Sequence, residues 1–173
     1  ACLEIRDKLD QKGYDIPLCA DMHFQPKVAL AVADAVEKIR INPGNFVDGR
    51  KNFDETVYET DDDYFREREF FVDAFSPLVE KCKDLNRAMR IGTNHGSLSS
   101  RVLSFYGDTP RGMVESAIEF ADICRSLDYH NFLFSMKASN PLVMTQGYQL
   151  LAAELYRLGW DYSLPRGVTG AGK

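Results

Sequence analysis

The most constraining feature of this sequence is a pattern that joins a short apolar segment to a polar turn. It is clearest in Arg90–Ser97, where Arg90 and Asn94 share one parity and Met89 and Ile91 share the other. Alternate side chains of a β-strand lie on the same face. The pattern therefore predicts a strand with one apolar and one polar face, followed by a glycine-containing turn.

Three further apolar segments end in the same way, and each is followed by a segment with helical periodicity. Their polar residues of one parity are Asp21 and His23, Arg40 and Asn42, and Ser135, Lys137 and Ser139. Parallel strands that alternate with helices bring their carboxyl ends to one edge of a sheet or one mouth of a barrel. The side chains of these four strand ends are therefore expected to lie close together.

The apolar spacing predicts an α/β chain in which helices connect five strands. The predicted strands cover 16–22, 39–42, a segment that ends at Asn94, 131–137 and 164–169, and the predicted helices cover 1–12, 26–38, 61–85 with a restart or kink at Pro77, 98–106, 110–127 and 141–158. A turn is predicted at 43–45 and an irregular segment at 46–60. We interpret residues 1–173 as one domain, a partial TIM (β/α)8 barrel with about five of the eight units. A five-stranded open sheet is the competing architecture.

The composition restricts the functional classes. The 173 residues carry a net charge of −5, which argues against general nucleic-acid binding. No run of about 20 apolar residues is present, so no membrane span is expected. The four cysteines are far apart in sequence and favour buried free thiols over a disulfide framework or a metal site. We interpret both ends of the sequence as cut, and we expect an internal piece of a longer protein.

The predicted strand ends suggest an anion-binding site. Arg40, Arg90 and Lys137 occupy equivalent positions on three strands, and clustered cations need an anion to neutralise them. Arginine suits bidentate phosphate contacts, and the helices that follow these strands add backbone N–H donors. A ligand with one or two phosphates is therefore expected. The alternative is that these cations pair with carboxylates in a structural network.

The complete set of candidate binding residues contains Asp21, His23, Arg40, Asn42, Arg90, Asn94, Lys137 and Ser139. His23 could orient a ligand or move a proton beside Asp21. His95 is expected behind the site, and His130 is expected at the opposite end of its strand with no role. Ser97 and Ser99 are expected to cap the following short helix, and Ser97 could also contact phosphate.

Several of these turns resemble a known enzyme family, the 4-hydroxy-3-methylbut-2-enyl diphosphate synthases of the non-mevalonate isoprenoid pathway. The resemblance covers essentially all 173 residues, and two long motifs in it, Arg40–Asn45 and Arg90–Leu98, are specific. The other matching motifs are Asp21–Phe24 and Lys137–Ser139, with Phe75–Cys82 and Leu127–Phe132 resembling the larger form of plants, algae and some bacteria.

The resemblance implies a TIM barrel with a separate C-terminal domain that carries a [4Fe–4S] cluster, whose ligands are not in this chain. It implies reductive ring opening of 2-C-methyl-D-erythritol 2,4-cyclodiphosphate, with reduced ferredoxin or flavodoxin as electron donor and a homodimeric assembly. It also places Arg40, Asn42, Arg90, Asn94 and Lys137 on the diphosphate-binding positions. The expected location is the plastid stroma for a plant or algal source and the cytoplasm for a bacterial one.

The C-terminal segment departs from the family pattern. Gly170 stands where the family has a substrate-facing glutamate, and Pro165 and Arg166 replace a histidine and a leucine. No catalytic residue is therefore assigned in this chain, and the isolated piece is expected to be inactive. Our hypothesis is that this terminus is the degraded or mis-sequenced end of a partial reading frame.

Two other functions remain open from the residues alone. One is a different phosphate-binding TIM-barrel enzyme, such as a pterin synthase-like or aldolase-like lyase, in which Lys137 would form a Schiff base. The other is a non-catalytic fragment, since an incomplete barrel leaves two sheet edges unprotected.

Overall fold

The computed structural model describes residues 1–23, 25–46 and 60–164. Within these ranges the chain forms a parallel sheet of four strands in the order β1-β2-β3-β4. The strands are β1 (Cys19–Met22), β2 (Lys38–Ile41), β3 (Ala88–Asn94) and β4 (Phe132–Lys137). The helices are α1 (Cys2–Gln11), α2 (Pro26–Val32), α3 (Pro43–Phe46), α4 (Asp61–Asp84), α5 (Ser100–Tyr106), α6 (Pro110–Ser126) and α7 (Pro141–Leu158). The predicted α/β class with parallel strands is confirmed.

The apolar parity of the strands forms the core with the helices. Ile39 pairs in register with Met89, and Met89 pairs with Phe132, so this row crosses three strands. All three belong to one buried cluster that includes Phe75 of α4 and Val114 of α6. Each such side chain contributes about 1.5–3 kcal/mol when it leaves water. This burial fixes the register, because a slip by one residue would turn the polar parity into the core.

Helix α4 is a single helix across Pro77, so of the predicted restart or kink the restart does not occur. Thr60 caps its first turn, and the Thr60 hydroxyl oxygen accepts from the Asp63 backbone N–H at 3.2 Å. Pro77 lies inside the helix and lacks an N–H, but the Ser76 hydroxyl donates to the Val72 carbonyl oxygen at 2.6 Å. The apolar contacts of Phe75 with Phe46 and Phe120 hold this stretch against the core, with ring centroids 5.4 and 4.7 Å apart.

Three further segments differ from the sequence predictions, and the first is strand β1, which begins at Cys19 rather than at residue 16. Helix α2 ends at Val32 rather than at residue 38, and Ala33, Ala35 and Val36 are buried in the connection to β2. The predicted turn at 43–45 is the short helix α3, whose four residues are all buried. The predicted irregular segment lies mostly outside the described residues. So does the predicted fifth strand after residue 164, and the number of barrel units therefore stays a prediction.

Candidate anion-binding site

The strand register brings the predicted site residues into neighbouring rows. Asp21 of β1 is aligned with Arg40 of β2, and Arg40 is aligned with Arg90 of β3. At the carboxyl ends of β3 and β4, Asn94 is aligned with Lys137. The polar parity of the four strands therefore forms one continuous face, as the alternation predicted.

Arg40 is the most heavily bonded residue on this polar face, and its side chain is almost fully buried. The Nη1 atom donates to Asp21 Oδ1 at 2.8 Å and lies 3.1 Å from His23 Nε2. The Nη2 atom donates to the Gly92 carbonyl oxygen at 2.8 Å and to Asn94 Oδ1 at 3.0 Å. For Arg40, the alternative interpretation of a structural ion-pair network is therefore realised.

Asp21 supplies the carboxylate of this network. Partial burial raises the pKa of Asp21, but the hydrogen bond and charge of Arg40, together with His23, lower it by more. The net result is a pKa below the ordinary value for aspartate. Asp21 is therefore ionised at neutral pH, and it offsets one positive charge of the site.

The turns after β2 and β3 are joined by buried polar contacts. Asn42 is fully buried, its Nδ2 donates to the Ser97 hydroxyl oxygen at 3.1 Å, and its Oδ1 accepts from the Gly44 N–H at 3.2 Å. A Cβ atom added to Gly44 would lie 1.7 Å from the Ser97 carbonyl oxygen. Only glycine allows this approach. Asn42 holds one turn against the other, and both the nitrogen and the oxygen of its side-chain amide have protein partners.

The remaining cations of the site are not paired with described residues. Arg90 is half-buried, its side chain has no hydrogen-bond or ion-pair partner in 1–23, 25–46 or 60–164, and its Nε is buried. Lys137 and Ser139 are exposed at the end of β4, and their side chains likewise have no such partner in those ranges. Since protein acceptors do not neutralise Arg90 and Lys137 there, these two residues are the groups best placed to receive an anion.

The polar face thus has two halves of different character. We call Asp21, His23 and Arg40 the paired half and Arg90, Lys137 and Ser139 the open half. The paired half is on β1 and β2 and is bonded internally, whereas the open half is on β3 and β4. Asn94 lies at their border, because its Oδ1 accepts from Arg40 of the paired half while it is aligned with Lys137 of the open half.

Other residues named from the sequence fall at the edge of the site or away from it. The ring of His95 reaches the Asp108 carbonyl oxygen, with Nε2 3.1 Å from it, and its backbone N–H donates to the Lys137 carbonyl oxygen at 2.8 Å. Ser99 caps α5 as predicted, whereas Ser97 accepts from Asn42. His130 contacts the Tyr162 hydroxyl at 2.7 Å, away from the polar face.

The cysteines match their prediction in part. Cys82 and Cys124 are buried, and burial raises the pKa of the Cys82 thiol to about 11. Cys19 is exposed, so the prediction of a buried thiol is wrong there, because Cys19 lies on the polar parity of β1 rather than among the apolar residues. All four cysteines are free.

Two residues of the site were not identified from the sequence. Gly92 lies under Arg40, and a Cβ atom there would be 2.4 Å from Arg40 Nε. Asn45 is buried, and its Nδ2 lies 3.3 Å from His23 Nδ1. Both belong to motifs that carried the family resemblance, and this membership was the one sequence feature that could have identified them as site residues. The departures at Pro165, Arg166 and Gly170 lie outside the described residues.

Comparison with known proteins decides the family. Residues 1–173 match the GcpE TIM-barrel domain. The chain belongs to this family. The match covers the whole chain, and the described parallel α/β sheet agrees with it. The expected resemblance is thereby confirmed.

Relatives of high identity carry one enzyme name. A chloroplastic 4-hydroxy-3-methylbut-2-en-1-yl diphosphate synthase (ferredoxin) from Oryza sativa subsp. japonica is 65% identical over 100% of this chain and 23% of its own length. The corresponding Arabidopsis thaliana protein is 64% identical, again over 23% of its own length. A synthase named with flavodoxin, from Protochlamydia amoebophila, is 63% identical over all of this chain and 26% of its own length. The chain thus spans about a quarter of the length of these relatives.

The described residues do not fit an iron–sulfur cluster. Within the described ranges, no group of three or more His, Cys, Asp or Glu side chains is arranged to hold a metal ion. The two buried cysteines lie in the apolar core, where burial raises the pKa of both thiols.

Among the described helices, none combines the length and apolar character needed to cross a membrane.

Proposed function

We propose that this chain supplies part of the diphosphate-binding barrel of a 4-hydroxy-3-methylbut-2-en-1-yl diphosphate synthase. The proposed reaction is the two-electron reductive ring opening of 2-C-methyl-D-erythritol 2,4-cyclodiphosphate. The observation that carries the proposal is the open half, where the side chains of Arg90 and Lys137 have no described protein partner beside Arg40. The enzyme name of the relatives, at up to 65% identity, supports the choice of substrate.

In this proposal the residues of the chain bind and orient the diphosphate. Arg90 contributes a planar guanidinium that can make two parallel hydrogen bonds to one phosphate. Lys137 adds a point charge from the neighbouring strand, and Ser139 adds a hydroxyl. Arg40 adds positive charge from a fixed position, with Asn94 and Asn42 holding the turns around it.

The redox chemistry belongs to groups outside this chain. The proposed [4Fe–4S] cluster would supply the electrons to the substrate, and its ligands would come from a separate C-terminal domain. Relatives are named with ferredoxin or flavodoxin, which supports a reduced protein of one of these kinds as the donor. A homodimer is part of the proposal. The chloroplastic plant relatives favour the plastid stroma for a plant or algal source, and cytoplasm applies to a bacterial one.

An aldolase-like reaction at Lys137 is less well supported. A Schiff-base lysine reacts as the neutral amine, which enzymes obtain by desolvation or by a neighbouring cation. Lys137 is exposed at the end of β4, and burial therefore gives it little help. Borohydride reduction in the presence of a carbonyl substrate would trap a covalent adduct if this reaction occurred.

A segment exchange tests the proposed function. Residues 1–164 of this chain would replace the matching segment of the rice relative, and conversion of the cyclodiphosphate with reduced ferredoxin would be measured. We expect conversion within about tenfold of the parent, because 65% identity preserves the fold and the cationic positions. Arg90→Ala in the exchanged protein should abolish most of it. A folded, cluster-loaded exchange protein that does not bind the cyclodiphosphate would contradict the proposal.

A second exchange extends to residue 173 and introduces the altered terminus. We expect this protein to bind the cyclodiphosphate but not to convert it, since Gly170 removes a carboxylate that the family resemblance places at the substrate. Gly170→Glu should restore conversion. Equal conversion with either residue would show that the terminus is not the defect.

A further inference from the structure

The His23 imidazole lies between two sets of polar groups. Its Nε2 is 3.1 Å from Arg40 Nη1 and 3.1 Å from Asp21 Oδ1. Its Nδ1 is 3.3 Å from the Nδ2 atom of Asn45. Asn45 is 8% exposed, and its Oδ1 is buried with no hydrogen-bond partner. The contacts with Arg40, Asp21 and Asn45 therefore bear on which ring nitrogen carries the proton.

The contact with Arg40 constrains one ring nitrogen. A guanidinium only donates hydrogen bonds, so a favourable contact with Arg40 Nη1 requires an unprotonated Nε2, whereas Asp21 Oδ1 at the same distance would accept from a protonated one. Because Asp21 Oδ1 already accepts from Arg40, we assign the Nε2 lone pair to Arg40. Nη1 carries two N–H groups, and one of them donates to Asp21 Oδ1 at 2.8 Å. The other is available for His23 Nε2. A neutral ring that accepts at Nε2 carries its proton on Nδ1.

A protonated Nδ1 needs an acceptor on the other side of the ring. With the Asn45 nitrogen toward the ring, two donors would face each other and Oδ1 would stay without a partner. A half-turn about the Cβ–Cγ bond exchanges the oxygen and nitrogen of the amide at almost no change in shape. It places Oδ1 against Nδ1–H and gives that buried oxygen its hydrogen bond.

We propose that Asn45 is a positioning residue whose Oδ1 accepts the Nδ1 proton of His23 and thereby keeps the Nε2 lone pair on Arg40. With this tautomer, all four terminal N–H groups of Arg40 have acceptors: Asp21, His23, the Gly92 carbonyl and Asn94. Asn45 acts through His23 and makes no contact with the ligand.

The functional consequence rests on the proposed diphosphate site. Arg40 lies close against Gly92, donates to its carbonyl oxygen and is in register with Arg90, so its charge is fixed beside the open half. Without Asn45, the ring can carry its proton on Nε2 and donate to Asp21, which turns a donor toward Arg40. One of the four contacts of the guanidinium is then lost, and the charge is less well placed for the anion.

Nitrogen-15 NMR of the side chains tests the tautomer directly. The chain has three histidines, and the His23 signals are assigned by their loss in His23→Gln. At a pH where the ring is neutral, we expect protonated Nδ1 and unprotonated Nε2. Asn45→Asp, which keeps an oxygen toward the ring, should retain the Nδ1 proton, and Asn45→Leu should move it to Nε2.

A neutral Nε2–H tautomer in the unaltered chain would overturn the proposal even if Asn45→Leu failed to fold. An unchanged tautomer in a folded Asn45→Leu chain would also overturn it.

A double-mutant cycle tests the pathway from Asn45 to the anion, with inorganic diphosphate as the probe. We expect Asn45→Leu to weaken binding about tenfold in the unaltered chain and to have no further effect in the His23→Gln background. Equal losses in both backgrounds would show that Asn45 does not act through His23, which overturns the proposal. If the unaltered chain binds no diphosphate, the proposed function fails, while the tautomer measurement still decides the role of Asn45.

Discussion

The paired half and the open half of the polar face use the same residue types in opposite ways. In the paired half, the Arg40 side chain is 7% exposed and hydrogen-bonded by protein acceptors on both terminal nitrogens. In the open half, the side chains of Arg90 and Lys137 have no hydrogen-bond or ion-pair partner among residues 1–23, 25–46 and 60–164. The difference separates a part of the site that the fold completes from a part that a ligand would complete.

This contrast has a physical basis in the strand register. Asp21 is aligned with Arg40, so a carboxylate is available one strand away. Arg90 has Arg40 on one side and Leu133 of β4 on the other, and neither can accept a hydrogen bond from a guanidinium through its side chain. An anionic ligand therefore gains more from Arg90 than from Arg40, whose hydrogen bonds would have to be exchanged.

The largest expected effect concerns the contact that joins the turns after β2 and β3. Gly44→Ala places a Cβ atom 1.7 Å from the Ser97 carbonyl oxygen, a backbone atom that cannot move aside alone. We expect a loss of about 3 kcal/mol in the free energy of unfolding, measured by urea denaturation. Gly147→Ala is the matched control, because its Cβ would meet only Met113 side-chain atoms, at 3.9 Å. Equal stability of the two variants would contradict the described contact.

Gly92→Ala should break the paired half while leaving the open half in place. The added methyl group lies 2.4 Å from Arg40 Nε, and the guanidinium must leave its acceptors to make room. We expect a loss of about 2 kcal/mol in the free energy of unfolding, because buried acceptors lose a charged donor. Arg40→Met in the same background should then add little further loss. Additive losses would show that Arg40 and Gly92 are independent.

Lys137→Ala sharpens the comparison from the other side. Lys137 is exposed and has no described partner, so its removal should leave the unfolding free energy within about 0.5 kcal/mol of the unaltered chain. Binding of the cyclodiphosphate should weaken about fivefold, since one charge of the open half is lost. Lys8→Ala on α1 serves as a control for the change in net charge. A stability loss as large as that of Gly92→Ala would mean that Lys137 belongs to the folded network instead.

The smallest expected effect is the pH dependence that Asp21 contributes. Its pKa is lowered in the folded state, so its stabilisation is fully present above the unfolded pKa of aspartate and is lost as the pH falls through the folded value. Because the Asp21 side chain is 57% exposed, the contribution should be only about 0.5 kcal/mol. Asp21→Asn should remove this part of the pH dependence of the unfolding free energy. The measurement is urea denaturation between about pH 2 and pH 6, a range that includes the ordinary pKa of aspartate. An unchanged acid profile would show that the Asp21–Arg40 pair adds no stability.

Strand parity made much of this site predictable. Met89 and Ile91 are buried in the core, while Arg90 and Asn94 share the polar face, as alternation requires. The helix start at Asn140 follows from its capping side chain in the same way, with Oδ1 2.9 Å from the Leu142 nitrogen.

The division into paired and open halves could not be predicted. It depends on which residues face each other across strands, and the sequence does not give the register of Asp21 on Arg40. The role of Gly92 has the same origin, since the side chain that requires it comes from another strand. Asn45 lies on a short helix where a turn was predicted, so its direction toward His23 was not visible from the sequence.

The most direct test of the account is calorimetric titration of the chain with the cyclodiphosphate, beside Arg90→Ala. The open half predicts that Arg90→Ala weakens binding about 30-fold, because up to two charge-assisted hydrogen bonds are lost, with little change in the unfolding free energy. Arg66→Ala, on the exposed side of α4, should bind as the unaltered chain does. Undiminished binding by a folded Arg90→Ala chain would contradict the central claim that the open half receives the diphosphate.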